Sequence, residues 1–356
     1  MQCIKPVQPS MDLRLLMVGN LWGSRYGKTV HLADAVMFAA LQGVTTLLPV
    51  SASGHQFVAP IWLGTPRGLT ALQALADLGC LVAIVVVVRR RLGRACLEGI
   101  RGLLRPAVLQ SSAGGRDALA VLVASLVAGG TELLVRPQLT AVNEMPLVAG
   151  AGLLLTGLTL ASTAFAPPPR QVAPGALGAL LVGLAHGLAM VPGMSRIGAA
   201  YVALRWLGIG SWRAAEVALM VSVPVMALQG ARLAFVRPDF GALGNAQLAL
   251  TLVLAFVTAS LAASWWKGLC ERRESAWLSL WVLPLGLAVL AYGRALPDPQ
   301  SRACRLIDSY YATRSGPICA ACSLQPPRRT ESTPRRLPVR ASAHLDPPPA
   351  ARDGID

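Results

Sequence analysis

Residues 41–55 read LQGVTTLLPVSASGH, and a partner stretch at residues 183–198 reads GLAHGLAMVPGMSRIG. Each begins as an apolar helix and then breaks into Pro, Gly and Ser where a membrane span should continue. A shift of 144 residues lays Gly43 on Gly187, Ser51 on Ser195 and Gly54 on Gly198. Polar backbone at bilayer depth survives only where protein buries it or where it lines a wet cavity. Two such breaks in two halves predict a site near the midplane at a repeat interface.

The composition agrees with a membrane setting. Of 356 residues 54% are hydrophobic and only 14% charged, where soluble domains carry about 25% charged residues. Mean hydropathy is +0.54. The net charge of +15 comes almost wholly from arginine, since only three of the 32 basic residues are lysines. These arginines fall in loops and in the C-terminal tail, as topology and anionic headgroups require. A nucleic-acid partner would need a basic face on a soluble fold and is excluded. Cys80 reads as a small apolar filler within a span. Cys319 and Cys322 have CxxC spacing, but no second pair or histidine completes a zinc site. No signal peptide precedes the body, because the apolar run within 11–23 is broken by Asn20 and Gly23; Met1 and Met11 both stand as starts.

In chain order, residues 1–30 form a polar segment. The first repeat covers 31–166, with a re-entrant hairpin at 31–63 and spans near 70–88, 118–135 and 146–166. The second covers 170–293, with a hairpin at 176–207 and spans near 214–231, 246–266 and 276–293. Neither piece of a hairpin reaches the ~20 apolar residues a span needs. The expected fold class is therefore an all-α polytopic membrane protein, each half a re-entrant helical hairpin plus three transmembrane helices. Three spans per half is an odd number, so like halves insert with opposite orientation as an inverted repeat. Arg89, Arg90, Arg91, Arg94, Arg101, Arg105, Arg116, Arg170, Arg205, Arg213, Lys267, Arg272 and Arg273 then share one face, which reads as cytoplasmic. Residues 294–356 are rich in Arg, Pro and Ser without apolar periodicity, the pattern of a disordered tail.

A helix that begins at mid-depth aims unpaired N–H groups and its dipole at an anion. Arg196, beside Ser195, is expensive in a membrane unless something negative meets it, and its fork matches phosphate oxygens. The competing reading has Arg196 capping carbonyls or pairing with Asp77. His55 is spaced to act as base or acid toward a hydroxyl or a phosphate near Ser51 and Ser53, or simply to hydrogen-bond a carbonyl. His186 reads as a packing or hydrogen-bonding residue. Asp77 is the most buried-looking acid, whereas Glu132 and Glu216 read as interfacial.

At these residues the chain resembles the bacitracin-resistance family of undecaprenyl-diphosphatases. QGVTTLLPVSASGH stands for the family's (E/Q)G-x-T-E-x-L-P-x-S-S-(S/T)-G-H, and PGMSRIG for its P-G-x-S-R-S-G. LADLGCLVAIVVVVRRR, TGLTL and WRAAEVALMVSVPVMALQGA resemble further family segments, so the likeness covers about 33–293. The resemblance implies a multi-pass protein of the bacterial inner membrane with its site open to the outer face. It implies removal of a phosphate from undecaprenyl diphosphate, recycling the lipid carrier of peptidoglycan synthesis, and hence bacitracin resistance. It assigns phosphate handling to Ser51, Ser53, His55, Ser195 and Arg196, with Gln42 at a position that is Glu or Gln. Gly54, Pro192, Gly193 and Gly198 match backbone positions of the motifs. The resemblance implies the polyprenyl diphosphate lipid and the bilayer as companions; Mg²⁺ or Ca²⁺ with Asp77 as candidate ligand, and a second copy in a homodimer, are further expectations.

The chain departs from the pattern at four places. Thr46 replaces an acid, Ala52 the central serine, Ile197 the serine after the arginine, and Asp77 a glutamine. Three expectations follow. In the first, the chain is an active diphosphatase in which Asp77 supplies the missing carboxylate and Ser51, Ser53 or a His55-activated water attacks. In the second, it binds or flips a polyprenyl phosphate without cleaving it. The third, an ion-coupled transporter, needs more intramembrane acids than the chain has.

Overall fold

The computed structural model describes residues 31–62, 70–139, 145–236 and 244–295, all within one compact unit that ends at Asp298. The N-terminal segment 1–30, the tail from 296, and Cys319 with Cys322 lie outside the described residues. Almost every described residue is helical, and the only β contact among the described residues is an isolated bridge between Gln171 and Ile209.

Helix α1, Leu32–Leu47, starts where the His31 N–H meets the Asp34 carboxylate at 3.1 Å. It stops two residues before Pro49, because the residue ahead of a proline is pushed to extended geometry; Leu48 has φ −76° and ψ 144°. Helix α2, Ala52–Trp62, follows after four residues. The first half continues with α3 (Thr70–Leu104), the short α4 (Ala107–Ser111), α5 (Ala113–Leu139) and α6 (Pro146–Ser162). The second half repeats the order with α7 (Ala176–Leu188), α8 (Arg196–Trp206), α9 (Ser211–Val236), α10 (Asn245–Glu271) and α11 (Ser279–Ala295).

Among the described residues six helices are long and apolar enough to cross a membrane: three in each half, lying within α3, α5, α9 and α10, in α6 with the turn that follows it, and in the segment that ends in α11. Helix α3 has 35 residues, a length of roughly 52 Å at 1.5 Å per residue. It outruns its apolar stretch because nothing interrupts the helix until Arg105–Pro106, so the Arg-rich end extends past the span.

The halves exchange partners. Helix α1 packs along α10 of the second half, and α7 packs along α5 of the first, while α6 pairs with α11. One glycine in each short helix permits the exchange. A Cβ on Gly43 would collide with the side chain of Thr258, and one on Gly187 would sit 2.7 Å from the Cβ of Thr131 and 2.9 Å from the Ala128 carbonyl. Membrane helices approach closely through such small residues because lipid supplies no hydrophobic drive between them.

The membrane-crossing bundle is also pinned by charge. Arg91 of α3 forks onto Asp117 of α5 at 2.6 and 2.7 Å and reaches Glu216 of α9 at 3.1 Å. Glu216, near a span end, is thus the partly exposed partner of a buried ion pair. A buried pair of this kind holds geometry more than it adds stability, since desolvation offsets the Coulomb gain.

Candidate active site

The two breaks touch. Ser51 sits at the head of α2 with a left-handed backbone, φ 74°, and is 1% exposed. Its Oγ accepts from the Gly54 N–H at 3.1 Å, which caps the helix, and donates to the Met194 carbonyl of the other break at 3.2 Å. Ser195 heads α8 in the same way, its Oγ accepting from the Gly198 N–H at 3.0 Å. Each cap is worth about 1 kcal/mol to its helix. Across the junction the Gly193 N–H donates to Ser53 Oγ at 3.2 Å. The side of Gly198 faces the Pro49 carbonyl closely enough that a Cβ would stand 3.1 Å from it.

Thr156, in the middle of α6, locks the second break from behind. Its hydroxyl donates to the Gly193 carbonyl and accepts from the Ser195 N–H, both at 3.0 Å. Gly193 itself has φ 84°, and a Cβ there would meet the Ala149 carbonyl. Gly54 is equally tight, with Leu153 Cδ2 2.6 Å from a would-be Cβ. The caps leave the first-turn N–H groups of Ala52 and Ser53, and of Arg196 and Ile197, without an intrahelical acceptor at the two helix N-termini.

Arg196 begins α8. Its guanidinium keeps 36% of the side chain open and donates no hydrogen bond among the described residues. Its ion partner is Glu132 of α5, Nη1 to Oε2 at 3.9 Å. This corrects two sequence expectations. Asp77 is not the paired partner of Arg196, although the two lie within electrostatic range. Glu132, read as interfacial, is 5% exposed and turned inward. The reason is that α5 carries Glu132 on the face packed against α7 and the second break, a placement that one-dimensional spacing does not reveal.

Asp77 of α3 instead accepts from the Gln42 Nε2 at 2.6 Å, and the Gln42 carbonyl oxygen accepts from Gln56 Nε2 of α2. Both halves of the Gln42 amide are thereby used, which fixes its orientation between the carboxylate and the first hairpin. The counterpart of Gln42 at an offset of 144 is His186. It is fully packed and shares a 3.2 Å hydrogen bond with Ser222 of α9, while its Nδ1 has no hydrogen-bond partner.

His55 is held at both ring nitrogens. Nδ1 lies 2.8 Å from the Ser51 carbonyl, so it carries the proton, and Nε2 accepts from the Trp281 indole N–H at 3.0 Å. The rings are near parallel, 14° apart. Of the two serines in the first break, Ser53 is exposed and Ser51 enclosed. Thr46 Oγ1 is buried beside the Cys80 thiol and makes no hydrogen bond of normal geometry. The described residues contain no group of three or more His, Cys, Asp or Glu side chains placed to share a metal ion.

The junction therefore brings together Ser51, Ser53, Gly54, His55, Gly193, Ser195, Arg196 and Gly198, with Gln42 and Asp77 beside the first hairpin. The sequence reading places Glu132 at the interface and does not single out Thr156, Gln56, Gln229 or Trp281. Glu132 and Thr156 left a readable trace as polar residues within apolar runs; the other three left none.

Comparison with known proteins agrees with this architecture. A family model described as "Bacitracin resistance protein BacA" matches residues 35–288. An undecaprenyl-diphosphatase of Cereibacter sphaeroides (strain ATCC 17029 / ATH 2.4.9) is 33% identical over 265 residues, covering 72% of this chain and 95% of the relative. Undecaprenyl-diphosphatases of Mycobacterium sp. (strain KMS) and Rhizorhabdus wittichii are 29% and 28% identical, over 72% and 74% of this chain and 95% and 98% of theirs. With two broken hairpins, six membrane-length helices and that match, the chain is a multi-pass membrane protein belonging to the bacitracin resistance protein BacA family.

Proposed function

We propose that the chain hydrolyses undecaprenyl diphosphate to undecaprenyl phosphate and inorganic phosphate at the junction of its two hairpins. The observation that carries this reading is Arg196. It is a guanidinium with its hydrogen-bond donors unspent and a third of its side chain open, at the meeting of two helix N-termini. Such a group is costly at mid-depth and is repaid by a phosphate. The halves, inserted as an inverted repeat, would bring both N-termini to one anion from opposite sides.

In this reading a water attacks the terminal phosphorus. Its new P–O bond forms as the bridging P–O bond breaks, and the bridging oxygen leaves on the lipid phosphate. Asp77, held by Gln42, takes the proton of the attacking water. Arg196 and the first-turn N–H groups stabilise the charge that grows on the phosphoryl oxygens. Ser53 is the accessible hydroxyl of the break and orients the water or phosphate, while Ser51 and Ser195 cap the helices. Asp77 is the one carboxylate that would hold a divalent ion such as Mg²⁺ or Ca²⁺, and such an ion would supply charge neutralisation to the diphosphate. The charge bias of the loops supports a site open to the outer face of the bacterial inner membrane, where the product would rejoin the lipid-carrier cycle of peptidoglycan synthesis.

A second reading rests on His55, whose two nitrogens are both engaged, and on Thr46 and Ala52, which bring neither charge nor nucleophile. It makes the chain a polyprenyl-phosphate carrier on the same scaffold. Phosphate release from undecaprenyl diphosphate by purified protein separates the two. Release that falls in Asp77→Asn and Arg196→Ala supports hydrolysis. Absence of release, with lipid-phosphate binding that still depends on Arg196, overturns it in favour of the carrier.

A further inference from the structure

Glu132 gathers more than one cation. Its Oε1 accepts from Arg136 Nη2 at 2.5 Å, both of its oxygens accept from Gln229 Nε2 at 3.0 and 3.2 Å, and its Oε2 faces Arg196 at 3.9 Å. Arg136, one turn further along α5, is 53% exposed, and Arg196 is 36% exposed. The two guanidinium groups lie within electrostatic range of each other. Among the described residues, one carboxylate faces two guanidinium groups, which leaves these charges with a positive excess. Gln229, on α9, holds the Glu132 carboxylate through both of its oxygens.

We infer that Arg136 is a second phosphate-binding arm, positioned by Glu132, and that Arg136 and Arg196 together select a diphosphate over a monophosphate headgroup. This inference rests on the reading of the junction as a lipid-phosphate site. A diphosphate presents two adjacent phosphoryl groups, each able to accept a guanidinium fork. Arg196, at the break, holds the phosphoryl group that meets the helix N-termini, and Arg136, nearer the opening, holds the other. A monophosphate engages Arg196 alone. Glu132 is a positioning residue here: it touches the arginines, and no step of the reaction passes through it.

The test measures binding of two probes to the purified chain in nanodiscs. One is a prenyl diphosphate with a methylene bridge, which cannot be cleaved there, and the other is the matching prenyl monophosphate. The wild type is expected to prefer the diphosphate. Arg136→Ala should weaken the diphosphate about tenfold, the loss expected for one charge-assisted contact, and leave the monophosphate unchanged. Arg136→Lys, which keeps the charge without the fork, should fall between. Glu132→Gln should weaken both probes, because it also loosens Arg196. Equal loss for both probes in Arg136→Ala, or no loss for either, makes Arg136 a simple helix ion pair and overturns the inference. A diphosphate preference without phosphate release from undecaprenyl diphosphate would leave the clamp standing while hydrolysis fails. Failure of the wild type to bind either probe sinks both.

Discussion

The two hairpins are built to one plan and diverge in where they bear strain and charge. Each has a short helix, a break, and a second helix capped by a serine, Ser51 or Ser195. In the second hairpin the left-handed residue is Gly193, which accepts that geometry freely, and Ser195 caps from an ordinary extended backbone, φ −94°. In the first, Ser51 is itself both the cap and the left-handed residue, at a cost of roughly 1–2 kcal/mol. The strained serine persists because its hydroxyl ties three groups, Gly54, Ser53 and the Met194 carbonyl, and its carbonyl holds His55. Non-glycine strain held by such over-determination gathers at functional sites. The second hairpin carries the cation; the first carries the neutral, precisely oriented groups Gln42, Ser53 and His55. One hairpin supplies the cation and the other supplies orientation.

Breaking the charged half should cost the most. Arg196→Ala is expected to reduce phosphate release about a thousandfold, as loss of a transition-state charge donor does, while the helical circular dichroism of the purified protein stays the same. On the orienting side, Asp77→Asn should reduce kcat about a hundredfold with little change in KM, the signature of a lost base. Gln42→Ala, which frees the carboxylate rather than neutralising it, should fall short of that loss in the same assay.

Next in size are the strained positions. Gly193→Ala puts a Cβ against the Ala149 carbonyl at φ 84° and should destabilise by about 2 kcal/mol in a detergent melting assay. Ser51→Gly should leave the melting temperature near wild type, because relief of strain offsets the few tenths of a kcal/mol lost from the cap and the roughly 1 kcal/mol lost with the hydrogen bond to Met194, yet still lower activity by detaching the break from Met194. If Ser51→Gly and Gly193→Ala destabilise alike, the division of strain between the hairpins is wrong. The smallest effect belongs to Trp281→Phe, which removes one neutral hydrogen bond to His55, about 1 kcal/mol. Its phosphate release should stay within about fivefold of wild type. A larger gain would show that the indole restrains His55 from acting as a base.

Much of this was legible in one dimension. Pro49 and Pro192, each within a glycine- and serine-bearing run at the end of a short apolar helix, mark where helices must stop. The apolar runs between them are long enough only to span a bilayer, so the helical class, the multi-pass character and the two matched breaks follow from local rules and solvent alone. Residues on the breaks themselves, such as Ser51, Ser195 and Arg196, are likewise visible, because the chain places them beside the interruption that gives them their surroundings.

What only the tertiary structure decided is which distant residues meet them. Glu132 reaches Arg196 across 64 positions, Trp281 reaches His55 across 226, and Gln42 takes Asp77 away from the arginine that charge alone would have paired with it. A carboxylate near a span end has the same local sequence whether it faces lipid headgroups or a buried guanidinium. The choice depends on which face of α5 is covered when α7 of the other half packs against it, and on the small side of Gly187 that lets it come so close. Sequence sets where each helix begins and stops because those events are local; the pairing of charges is settled by helix rotation and exchange between halves, which no single segment encodes.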